Sequence, residues 1–175
     1  MTFLELAKER YSVRKYLDKA IEDEKLHYIL EAGRVAPTAL NKQPQRFLTV
    51  ATAAGMEKLK KACDIHGAPM AIVICSLEDQ AWIRPQDGHS MAEIDPTIAA
   101  THMMLAAWKQ GIGSCWITWF DPAIVRSEFN LPENVIVVDI LALGYADAPV
   151  QQSDRHDKQR IPLSEMHWRE SVPNI

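Results

Sequence analysis

An α+β or mixed α/β fold, helices packed on a central sheet, is what three features of this sequence predict. Apolar stretches of helical period alternate with short β-rich runs along the chain. One such run, "MAIVICS" (70–76), is apolar almost throughout, so it reads as a strand covered on both faces. The stretch "AEIDPTIAATHMMLAAWKQ" (92–110) is the longest and most apolar helix of the chain.

Each element follows from local chemistry. Thr2 and Glu5 have capping-box spacing, and Phe3, Leu6 and Ala7 continue as an apolar stripe, so a first helix runs to about Arg10. A second spans roughly 23–35 with Leu26, Ile29 and Leu30 inward, and Pro37 stops it. "RFLTVA" (46–51) is a strand, and "AAGMEKLKKAC" (53–63) is helical before the buried strand 70–76. Residues 77–90 are polar and punctuated by Pro and Gly, the signature of a long loop of the kind used as functional lids. Pro96 suits the first turn of the 92–110 helix and Gly111 its end. "SCWIT" (114–118) and "VIVVDILALGY" (135–145) are strands separated by the helix "PAIVRSEF". Residues 146–162 read as extended and irregular, and "LSEMHW" as a last helical turn.

No repeat, low-complexity tract or linker divides the chain, which is read as one domain over 1–175. Apolar residues make up 47% and charged residues 24%, the balance of a soluble globular protein. The net charge of −4 disfavours a nucleic-acid or anionic-membrane binder, since both need a basic face. No apolar run is long enough to span a bilayer, and the N-terminus lacks signal-peptide order, so the expected location is cytoplasmic. The three cysteines form no CxxC pair, so neither a disulfide framework nor a zinc site is expected.

Three stretches could carry chemistry. In "ERYSVRKY" (9–16), an extended backbone sends Arg10, Ser12 and Arg14 to one side. Two guanidinium forks and a hydroxyl suit a phosphate monoester, and the competing reading is a solvated charge cluster with Lys15 and Asp18. In "APTALNKQPQRF" (36–47), Thr38, Asn41 and Gln43 could satisfy a heterocycle with carbonyls and ring nitrogens, or only their own backbone. "GIGSCWITWFD" (111–121) lacks the third glycine of a dinucleotide fingerprint and precedes a strand rather than following one. An edge strand beside a flat ligand, or an ordinary core strand, accounts for it better.

Together these motifs resemble the nitroreductase-like FMN-dependent oxidoreductases. The match is carried by Arg10-Tyr11-Ser12-Val13-Arg14, Pro37-Thr38-Ala39-Leu40-Asn41-Lys42-Gln43-Pro44, Gly111-Ile112-Gly113-Ser114-Cys115-Trp116 and Arg160-Ile161-Pro162-Leu163, in that order over nearly the whole chain. The resemblance implies a nitroreductase-like α+β fold, with a central, mostly antiparallel sheet flanked by helices. It implies an intertwined homodimer with the 92–110 helix at the interface and FMN between the subunits. Arg10, Ser12 and Arg14 would hold the FMN phosphate and ribityl chain, with Arg160 and Lys158 closing from the C-terminal side. Pro37, Thr38, Asn41 and Gln43 would reach the flavin from the partner, and Trp116, Ile117 and Thr118 would lie against the ring. Some relatives have Glu-Gly where this chain has Thr118-Trp119. The activity implied is NAD(P)H oxidation by a ping-pong cycle, reducing nitroaromatics, quinones or similar small conjugated electrophiles. Flavin N5 would carry the chemistry, so no catalytic side chain and no metal are expected. The rival readings are a non-catalytic flavin-binding or flavin-delivery protein and a small interaction domain without cofactor.

Other residues have plainer readings. His102 follows Asp95 by seven residues on one helix face, but no third metal ligand has a recognisable spacing, so a buried or interface hydrogen bond is the reading taken. Met103 and Met104 read as packing and Cys115 as an inert strand thiol. Asp87 and His89 read as solvated loop residues, and Trp82 as a pocket cap or a loop anchor.

Overall fold

The computed structural model describes residues 1–147, 151 and 154–172. In chain order its elements are α1 (Phe3–Glu9), α2 (Asp23–Arg34), β1 (Gln45–Val50), α3 (Ala53–Lys60), β2 (Met70–Leu77), α4 (Ile94–Lys109), β3 (Gly113–Ile117), α5 (Pro122–Phe129), β4 (Val135–Gly144), α6 (Arg155–Gln159) and α7 (Leu163–Met166). The four strands form one sheet in the order β1-β2-β4-β3, every pair antiparallel.

The pleat of β2 divides the core into two layers. Ala71, Val73 and Cys75 join Met56, Leu59 and Val125, the buried residues of α3 and α5, on one face. Met70, Ile72 and Ile74 join Ile29, Ala100, Met103 and Ala107, from α2 and α4, on the other. This is why β2 reads as a continuous apolar run: both faces are covered. The expectation of an α+β sheet flanked by helices is met.

The local signals for most ends are present in space. Thr2 and Glu5 form the capping box of α1, with Glu5 N–H donating to Thr2 and Thr2 N–H to Glu5. Thr52 and Asp121 cap α3 and α5. One expectation needs correction. The 146–162 stretch is not irregular throughout: it contains α6, where Lys158 pairs with Asp154 one turn away. Part of that stretch, 148–150 and 152–153, lies outside the described residues. The 77–90 stretch is the long loop expected, held by a short 3-10 turn at Glu78–Gln80, a bridge between Ile83 and Ser90, and a two-pronged Arg84–Asp87 pair.

Candidate functional site

Residues 10–14 leave α1 as an extended segment laid along the edge strand β3. The Val13 N–H donates to the Ser114 carbonyl at 2.9 Å, and Ser12 bridges Ser114 in parallel. Alternation then sorts the side chains. Tyr11 and Val13 are buried, while Arg10, Ser12 and Arg14 all line one pocket of about 180 Å3. Gly113 makes the close approach possible, because a Cβ there would stand 2.6 Å from a Val13 methyl.

The other wall of this pocket is α6 with its flanks: Arg155, His156, Gln159, Arg160 and the preceding Gln151. The helix is tied to the end of α1 by side chains that reach backbone carbonyls. Arg155 donates to the Arg10 carbonyl, and His156 Nε2 lies 3.0 Å from that of Lys8. Four arginines thus line a pocket whose lining, among the described residues, includes no Asp or Glu. Burial lowers the Arg10 guanidinium from its ordinary pKa, and the positive charges of Arg155 and then Arg160 lower it further. An anion would relieve that crowding.

A second pocket, of about 550 Å3, is lined by Arg14, Ala62, Cys63, Asp64, His66, Cys115, Trp116, Ile117, Thr118 and Trp119. Arg14 lines both pockets, so the arginine pocket adjoins a slot walled by the end of β3. Trp119 stands 93% exposed at this slot. Burial raises the pKa of Cys115, and it pushes the Cys63 thiol up to about 11 with help from Asp64, so neither is an activated nucleophile.

The sequence-predicted residues divide as follows. Arg10, Ser12, Arg14 and Arg160 share the smaller pocket, and Trp116, Ile117 and Thr118 the larger. Lys158 lines neither and pairs with Asp154 at 2.7 Å. Pro37, Thr38, Asn41 and Gln43 also line neither of these pockets. They sit on a loop closed by its own bonds: Gln43 N–H donates to Thr38 Oγ1 at 3.1 Å, and Gln43 Nε2 to the Asn41 carbonyl at 3.1 Å. Arg155, His156, Gln159 and the 62–66 segment were not singled out by sequence. The segment reaches the slot because the Asp121 N–H donates to the Ala62 carbonyl at 3.0 Å, a long-range tie that no local pattern encodes. Asp95 and His102 are separated in role: Asp95 is buried, and His102 is exposed with Nδ1 2.9 Å from the Ile98 carbonyl. Among the described residues no group of three His, Cys, Asp or Glu could hold a metal. No described helix is long and apolar enough to cross a membrane.

A helix-flanked antiparallel sheet with two pockets that share Arg14 defines the structural class. The chain belongs to the Nitroreductase family, whose model matches residues 7–65 and 59–145. It is 44% identical to a nitroreductase family protein of Clostridium difficile 630, covering 98% of this chain and 100% of that one at a TM-score of 0.96. A Methanothermobacter thermautotrophicus protein is 32% identical over 177 residues, 93% of this chain and 87% of its own, and carries a provisional NADH dehydrogenase/NAD(P)H nitroreductase name. An FMN-dependent nitroreductase of Clostridium difficile R20291 is 28% identical, covering 91% of this chain and 98% of that one, at a TM-score of 0.73.

Proposed function

We propose that this protein is an FMN-dependent oxidoreductase that takes hydride from NADH or NADPH and reduces small conjugated electrophiles, nitroaromatics and quinones among them. The observation that carries the proposal is the pocket lined by Arg10, Arg14, Arg155 and Arg160 with Ser12 and, among the described residues, no carboxylate. That donor set fits a phosphate monoester dianion, since each guanidinium offers a planar fork of N–H donors. The adjoining slot of about 550 Å3, with Ile117, Ala62 and Trp116 among its walls, fits a flat ring system.

FMN, when bound, supplies hydride transfer between the nicotinamide and the second substrate. The chain's part is to bind and orient. Arg10, Ser12 and Arg160 hold the phosphate, and Arg14 stands where the phosphate pocket meets the ring slot. Trp116, Ile117 and Thr118 form the wall beside the ring, and Trp119 gives incoming aromatic substrates an apolar rim. Pro37, Thr38, Asn41 and Gln43 reach the ring from a second copy of the chain, in an intertwined homodimer. Phe3 at 72% exposed and Leu163 at 77% exposed, near opposite ends of the chain, support that assembly by leaving large apolar side chains in water.

Purified protein should carry flavin absorbance and retain it through gel filtration. Initial rates at several fixed NAD(P)H concentrations should give parallel double-reciprocal lines, as expected of one pocket used alternately by donor and acceptor. Colourless protein that takes up no added FMN would refute the cofactor reading, and intersecting lines would refute the alternating cycle.

A further inference from the structure

The buried carboxyl of Asp95 has no place in the scheme above, although Asp95 is only 2% exposed. It lies in the first turn of α4, and its Oδ1 accepts the Ala39 N–H at 3.0 Å across 56 positions of sequence. Its Oδ2 is buried without a hydrogen-bond partner among the described residues. A shielded carboxyl satisfied on one oxygen only is costly, so ordinary packing does not account for it.

The segment it grips is itself under tension. Leu40, Asn41 and Gln43 hold φ of 49°, 55° and 53°, a left-handed region that Asn tolerates but that disfavours Leu and Gln. Leu40 also leaves its side chain 73% exposed. Strained backbone persists only where surrounding contacts over-determine it, and it concentrates at ligand clamps. Within the loop those contacts are the Thr38–Gln43 and Gln43–Asn41 side-chain bonds and the backbone bonds from Asn41 N–H to the Thr38 carbonyl and from Lys42 N–H to the Ala39 carbonyl. The tie from Ala39 to α4 is the one that Asp95 makes.

We propose that Asp95 is a positioning residue that clamps the 38–43 loop to α4 and pre-forms it for contact with the flavin ring. This rests on the FMN reading given above. The clamp needs an acceptor at Oδ1, not a charge, so Asp95→Asn should keep it and Asp95→Ala should release it.

The test has two readouts. In FMN-free protein, hydrogen exchange at the Ala39 amide should accelerate about tenfold or more in Asp95→Ala and stay near wild type in Asp95→Asn. The FMN dissociation constant should rise about tenfold in Asp95→Ala and by no more than about threefold in Asp95→Asn. Should Asp95→Ala not fold, Asp95→Ser, whose shorter hydroxyl does not reach the amide, carries the same expectation. An Ala39 amide that stays protected without Asp95, an FMN affinity that ignores its loss, or an Asn variant as impaired as the Ala variant would each overturn the clamp. Wild-type protein that binds no FMN would overturn the flavin reading and this role with it. Wild-type binding with an indifferent Asp95→Ala would overturn the clamp alone.

Discussion

The two walls of the arginine pocket are built in different ways. The N-terminal wall, Arg10–Arg14, is bonded through its backbone to β3 and locked from beneath by Val13, which is fully buried at the point Gly113 leaves open. The C-terminal wall rests on α6, a five-residue helix docked onto the α1 carbonyls by the side chains of Arg155 and His156. A helix so short is marginal alone and holds only while those contacts last. One wall is therefore part of the sheet and the other is applied to it. On the proposed FMN reading, a bound phosphate should depend more on the first wall than on the second.

The largest effect should follow from removing the arginine common to both pockets. Arg14→Ala is expected to weaken FMN binding by about 1.5–3 kcal/mol, read by flavin fluorescence titration. Unchanged retention would remove Arg14 from the site. Next comes Gly113→Ala, which forces a Cβ against Val13 and should cost about 1–3 kcal/mol of stability in urea unfolding. A neutral result would mean that the N-terminal wall yields easily, and the contrast between the walls would fail. Arg160→Ala should cost about 1 kcal/mol of FMN affinity, because its helix can shift and Arg155 stays in the pocket. A loss equal to that of Arg14→Ala would make the two walls equivalent. The smallest effect is expected from Trp119→Ala: FMN retention unchanged, and KM for aromatic acceptors raised about three- to tenfold by loss of a stacking face. A matching rise for a non-aromatic acceptor would show that Trp119 does not select for rings.

What the sequence made legible follows the same division. The N-terminal wall was readable because strand alternation alone places Arg10, Ser12 and Arg14 on one side and Tyr11 and Val13 on the other. The sheet and main helices were readable from apolar period and caps, as with Thr2 and Glu5 in α1. The helix α6 was missed because its support is tertiary, on carbonyls nearly 150 residues away in sequence. For the same reason Arg155 escaped notice while Arg160, inside a motif, did not. The 62–66 segment enters the slot through a bond from the β3–α5 connection, which local patterns do not report. Helical spacing left Asp95 and His102 as a hydrogen-bonding pair rather than a metal site, but it could not name the partner of Asp95, the Ala39 N–H 56 positions away.

The central claim is that the arginine pocket and its adjoining slot hold a flavin that the protein reduces with a nicotinamide. Its most direct test is the absorption spectrum of FMN-loaded protein before and after anaerobic addition of NADH or NADPH. Bleaching of the bound flavin within seconds by at least one of the two, at a stoichiometry of about one per chain, is the predicted result. A bound flavin that stays oxidised with both nucleotides would contradict the enzyme reading and leave a protein that only carries its flavin.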